Sequence, residues 1–191
     1  MQINPSEFKI SNVVDTCAVW HILSSNILYY KAKAANCAFC ITYFVNYECL
    51  YKPRKEKSGK DEELISRLKF AQAKRQFSAY ELDIEDLQEV EILRRRKNLG
   101  KGELTSIAFA KKTNIAFLTD DQKARKLANS VLGQEQVQTT PHLLSWLTFK
   151  GDIGDSDKND IKKEHHDMGQ KLGPHLENGF CEAMRCRLMA R

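Results

Sequence analysis

The chain has 191 residues, a net charge of +5 and 42 % apolar residues. That length suits one compact domain, or one domain with an extension, and the apolar content is too high for a disordered chain. No stretch approaches the roughly 20 apolar residues needed to cross a bilayer. Met1–Glu7 lacks the basic and apolar regions of a secretory signal, so a cytoplasmic location is the expectation.

Asn12-Val13-Val14 closes a first strand over Phe8–Val14, followed by Asp15 and a helix from Thr16 to Lys33 with Val19, Ile22, Leu23 and Ile27 on one face. Phe39–Val45 is a continuous apolar run, the pattern of a strand covered on both faces. Glu48 follows it, on a helix begun by Asn46–Leu50. Lys52–Lys60 is charged and reads as a loop. Asp61–Arg75 is helical, Phe77–Leu82 is a short strand, and Asp83 caps a helix running to about Lys97. Two glycines interrupt Asn98–Gly102. Glu103–Lys112 then resumes helix, with Asn114 at its C-terminal end. Ile115–Thr119 is a buried strand, Asp121–Leu132 a helix stopped by Gly133, and Gln136–Thr140 a last strand. Pro141 opens a helix over His142–Phe149. Strands alternating with helices predict an α/β fold with a central, mostly parallel sheet.

Gly151–Asp160 is polar and glycine-bearing, the composition of a linker. It lacks EF-hand ligand spacing. Phe180–Met189 has one apolar side. The expected organisation is therefore a domain over 1–150 and a linker with a C-terminal extension over 151–191. The six cysteines read as free thiols packed as small hydrophobes, since Cys37 and Cys40 fall at a strand start and the tail's His and Cys spacings match no zinc module. His21 and His142 read as packing or surface residues, and Trp20 and Trp146 as core anchors.

Asp15, Glu48, Glu103, Asp120 and Asp121 each fall just past an apolar run or at a helix start. In open α/β sheets those places meet at the carboxyl ends of the strands. Acids gathered there must be protonated or neutralised by a cation, and oxygen ligands suit Mg²⁺ or Mn²⁺. This points to a metal-dependent phosphodiesterase site. Taken singly, Asp15, Asp120 and Asp121 also suit helix caps, and Glu103 suits a helix N-terminus. Setting the five carboxylates aside leaves 20 acids against 30 bases. Two basic runs, Lys52–Lys60 (with Arg54 and Lys55) and Arg94-Arg95-Arg96-Lys97 with Lys101, flank Glu48 and Glu103 as phosphate contacts would. A covalent phosphatase using Asp15 would want a second Asp two residues on, where Cys17 stands.

The segments Val13-Val14-Asp15-Thr16, Tyr47-Glu48, Gly100-Lys101-Gly102-Glu103-Leu104-Thr105-Ser106-Ile107-Ala108 and Leu118-Thr119-Asp120-Asp121-Gln122-Lys123-Ala124-Arg125 together resemble the PIN-domain nucleases, VapC-type toxins among them. The resemblance spans Asn12 to about Phe149. It implies a three-layer sandwich and cleavage of single-stranded RNA with Mg²⁺ or Mn²⁺. It also implies a toxin held by an antitoxin or other inhibitory protein, with a homodimer as a further expectation. The implied metal ligands are Asp15, Glu48, Glu103 and Asp121, with Asp120 second to Asp121. Thr16, Thr119 and Arg125 are supporting residues. Glu103 departs from the family's usual Asp at that position. The alternative is a catalytically silent PIN-like scaffold or nucleic-acid-binding protein.

Overall fold

The computed structural model describes residues 4–53 and 58–189. Arg54 and Lys55 lie outside the described residues. The first strand, β1, is Ser11–Val14, shorter than expected. The helix expected over Thr16–Lys33 is two helices, α1 Thr16–Ser24 and α2 Asn26–Ala34. Ser25 breaks them. Its backbone is extended, its Oγ accepts from the Leu28 N–H at 3.1 Å, and it donates to Glu164 Oε2 at 2.5 Å. The run expected as a strand through Val45 ends sooner, as β2 Ala38–Thr42, because the Thr42 hydroxyl caps the next helix, α3 Tyr43–Leu50. Then come α4 Gly59–Ala73, β3 Ser78–Tyr80 and α5 Ile84–Arg96, both helices starting in capping boxes. α6 Lys101–Thr113 ends at Asn114 in the left-handed conformation. β4 Ala116–Leu118, α7 Gln122–Leu132, a 3-10 turn, β5 Val137–Gln138 and α8 Thr140–Lys150 follow.

Among the described residues the five strands form one parallel sheet in the order β3-β2-β1-β4-β5. Side chains alternate across a strand, so neighbours in sequence enter different layers. Val13 and Phe117, paired across β1 and β4, join Leu93 of α5, Leu104 and Ile107 of α6 and Leu127 of α7. Val14 and Leu118, the next pair, join the opposite core with Ile22, Leu28, Leu68 and Leu143. Helices thus cover both faces, as a three-layer sandwich requires. β1 has β2 on one side and β4 on the other, so the chain's direction of travel across the sheet reverses at β1. That is where ligands bind in open α/β sheets.

The segment expected as a linker is mostly helix. Only a short turn separates α8 from α9 Asp155–Asp167, which is followed by α10 Gly173–Met189. Two of the segment's polar residues, Asp155 and Asp157, sit in the first turn of α9, where negative charge suits the helix N-terminus. Ile161, Leu176 and Phe180 belong to the same core cluster as β1 and α8. Gly179 of α10 passes so near α8 that an added Cβ would lie 2.5 Å from Ser145 Oγ. Trp146 is buried, and Phe8 stacks on it at 5.3 Å between ring centres.

Candidate active site

Asp15 leaves the end of β1 and is buried. Its Oδ1 accepts from the Ala18 N–H at 2.9 Å and from the Cys17 thiol at 3.3 Å, which caps α1. Its Oδ2 accepts from the Thr119 hydroxyl at the end of β4. Burial pushes its carboxyl up to about 7, and the charge of Asp120 adds to this against the hydrogen bonds. Burial also drives the Cys17 thiol well above its ordinary value, with Asp15 and Asp120 adding to the effect. A thiol so placed is no nucleophile.

Glu48 points inward from α3. Thr16 donates to its Oε2 at 2.6 Å, and Lys52 reaches its Oε1 at 3.6 Å. The Glu48 carboxylate lies against the first turn of α6, where a Cβ on Gly102 would come within 2.5 Å of Oε2 and 3.4 Å of Thr16 Oγ1. Glycine is what permits that approach. Glu103, one residue on, folds back over Gly100 and accepts from its own backbone N–H. Burial raises its carboxyl, and the charges of Glu48 and Asp121 raise it further. Glu48, Glu103 and Asp121 therefore share one electrostatic neighbourhood.

The adjacent aspartates diverge, as side chains on an extended segment do. Asp120 is tied down on both oxygens. Oδ1 accepts from the Thr140 N–H at 2.9 Å, and Oδ2 from Thr140 Oγ1 at 2.6 Å, with His21 Nδ1 at 2.7 Å. Asp121 is half-buried on the Glu103 side. Its Oδ1 accepts from the Ala124 N–H at 2.7 Å, capping α7, and its own N–H donates to Thr119 Oγ1 at 3.1 Å. The His21 and Thr140 contacts to Asp120 were invisible in sequence, because they join positions about 20 and 100 residues away. Among the described residues, no three His, Cys, Asp or Glu side chains are drawn together as a ready metal cage. The expected convergence is thus looser than direct ligation by four or five carboxylates.

A family model described as "DUF3368: PIN domain" matches residues 55–185. The chain belongs to the PIN-domain family. PIN domains are generally nucleases that typically use divalent metals, so the function is of the nuclease type. The match to the PIN domain contains Glu103, Asp120 and Asp121, and it extends through α9 and most of α10. No match was found among curated proteins or solved structures. No helix among the described residues is long and apolar enough to cross a membrane.

The basic groups of this PIN domain are unevenly distributed. Arg94, Arg95 and Arg96 are exposed in the last turn of α5, the first two within 3.8 Å of Glu91. Lys97 is half-buried at the cap. Lys101 opens α6 with its ammonium 5.8 Å from the centre of the Phe44 ring. Arg125 lies one turn into α7, half-buried, its N–H donating to the Asp121 carbonyl at 2.9 Å. Lys52, expected from the sequence to meet phosphate, instead lies 3.6 Å from the Glu48 carboxylate.

Proposed function

We propose that this PIN domain is an endoribonuclease that cuts single-stranded RNA with Mg²⁺ or Mn²⁺. We further propose that it is the toxin of a toxin–antitoxin pair, restrained by a cognate antitoxin. The observation that carries the nuclease reading is the crowding of carboxylates at the reversal point of the sheet. Burial pushes the Asp15 carboxyl up to about 7 and also raises that of Glu103, to which the charges of Glu48 and Asp121 add. Such a site holds more carboxylates than cations, with Lys52 beside Glu48 as the neighbouring ammonium.

The donor set fits a hard cation, because every candidate donor is a carboxylate oxygen. Mg²⁺ usually keeps several waters and takes only one or two carboxylates directly, so a preformed cage is not required. Asp15, Glu48, Glu103 and Asp121 would hold the ion, directly or through water. The ammonium of Lys52 already stands beside Glu48 as a side-chain cation. Such an exposed pair is worth little and is readily exchanged.

A bound divalent ion activates water and stabilises charge building on the phosphate. The rest belongs to the chain's own residues. Thr119 orients Asp15, and Thr16 orients Glu48. Asp120, locked by His21 and Thr140, fixes the strand end from which Asp121 departs. Glu103, whose carboxyl is raised by burial, would be the proton acceptor for that water. Arg125, Arg94–Lys97 and Lys101 would hold phosphates of the strand without reading bases.

A catalytically silent reading draws on a specific feature. Both Asp15 oxygens are already hydrogen-bonded, which satisfies the carboxyl without an ion. Incubating the protein with unstructured RNA and with duplex RNA, in Mn²⁺ or in chelator, separates the two. Cleavage of the unstructured RNA in Mn²⁺ alone is expected. Binding without cleavage would favour the silent protein.

A further inference from the structure

The helix that carries Glu48 inward carries a stripe of tyrosines outward. Tyr43, Tyr47 and Tyr51 follow one another at intervals of four residues along α3 and its C-terminal cap. They are 51 %, 51 % and 67 % exposed, and none belongs to either core cluster. Four residues advance a helix by about 6 Å and turn it by little more than one revolution, so the rings form a single row. Exposed aromatic rings concentrated in one row, beside a charged site, require a reason beyond core packing.

We propose that this row is a stacking platform for the bases of a single-stranded nucleic acid, placing the strand's backbone over the acidic site. The inference rests on the nuclease reading above and deepens it by assigning a base-binding surface. Two observations favour nucleic acid as the occupant. The row adjoins the site, since Tyr47 and Glu48 are consecutive on α3 and so about 100° apart around it. It is also bordered by cations, because Lys52 follows Tyr51 directly and Lys101 sits over Phe44, the residue after Tyr43. Rings for bases beside ammonium groups for phosphates are the combination by which single strands are held without reading sequence. A duplex keeps its bases stacked inside and cannot use such a row, so the platform selects single strands.

The test measures binding without turnover, in chelator, by fluorescence anisotropy. The probes are a short uridine oligomer and an abasic ribose-phosphate oligomer of equal length and charge. The wild-type protein should bind the base-bearing strand more tightly. Tyr47→Ala and Tyr43→Ala should each weaken that binding about five-fold or more while leaving the abasic probe unaffected. Tyr47→Phe, which keeps the ring, should retain it. Equal affinity of the wild type for both probes would overturn the platform while leaving the nuclease reading intact. Failure of the wild type to bind either probe would overturn both. Loss of a dimer on sedimentation of Tyr47→Ala, with uridine binding unchanged, would reassign the row to a protein interface and overturn the platform.

Discussion

Thr119 donates its hydroxyl hydrogen to Asp15 Oδ2 across the junction of β4 and β1, and the same hydroxyl oxygen accepts from the Asp121 N–H at 3.1 Å. One small side chain thereby ties the buried aspartate at the end of one strand to the acidic pair that ends its neighbour. Thr119 is itself buried, and its backbone N–H donates to Gln138 in β5 at 3.0 Å. The Thr119 hydrogen bond opposes the cost of burying the Asp15 charge but does not cancel it.

That cost gives a pH prediction. The folded-state pKa of Asp15 is raised to about 7 from an ordinary 3.8, so the folded protein binds a proton more tightly than the unfolded chain. In the absence of metal, this contribution to stability is present at low pH and is lost as pH rises from about 4 to about 7. Asp15→Asn should therefore stabilise the metal-free protein at neutral pH by a few kcal/mol, and by little near pH 4. Urea unfolding of both forms in chelator checks this. Asp15→Asn less stable than wild type at pH 7 would contradict it.

His165 works in the opposite direction over the same range. It is buried on α9, neither ring nitrogen has a hydrogen-bond partner among the described residues, and its ring lies 6.3 Å from that of His21. Burial, followed by the nearby His21, lowers its pKa to about 4. The unfolded chain gains this proton first, so stability falls as pH drops from about 6.5 towards 4. His165→Leu should remove that loss, leaving a protein whose stability declines with rising pH. Unfolding curves at several pH values would show a slope of opposite sign to that of Asp15→Asn.

Gly102→Ala probes the site with little change to the fold. The new Cβ would meet Glu48 Oε2 at 2.5 Å, and that atom is the end of a flexible side chain. Glu48 should swing away from Thr16 and α6. The expected result is a thermal transition close to that of wild type, with cleavage reduced by an order of magnitude or more. Cleavage equal to wild type would show that the placement of Glu48 is not needed.

The strand ends were legible in sequence because apolar runs followed by acids have few other arrangements in a parallel sheet. Asp15 and the Asp120–Asp121 pair were found that way. The break at Ser25 was not, since the residue that engages its hydroxyl, Glu164, is 139 positions away. The α9 helix was missed for a related reason. It is mostly charged and buries only Lys158, Ile161 and His165, so its periodicity is faint until the surface it packs on is known. The division of labour between Asp120 and Asp121 depended on His21 and Thr140, neither of which is adjacent in sequence.

Packing of the C-terminal helices gives a stability prediction. Ile161, Leu176 and Phe180 are buried in the main core, at roughly 1.5–3 kcal/mol each. Removing residues 155–189 forfeits that burial and uncovers α8. The shortened chain should lose its cooperative thermal transition by circular dichroism. A shortened chain that melts at the wild-type temperature would show instead that the residues before 155 suffice as a domain.

Metal-dependent cleavage through Asp15 is tested by the initial rate at which Asp15→Asn cleaves unstructured RNA in saturating Mn²⁺, measured beside wild type with both proteins shown to be folded. Asparagine keeps the shape of the side chain and removes the charge that a divalent ion requires. Asp15→Asn should cleave more slowly by on the order of 100-fold or more, in a protein at least as stable as wild type when metal-free. A folded Asp15→Asn that cleaves as fast as wild type would contradict it.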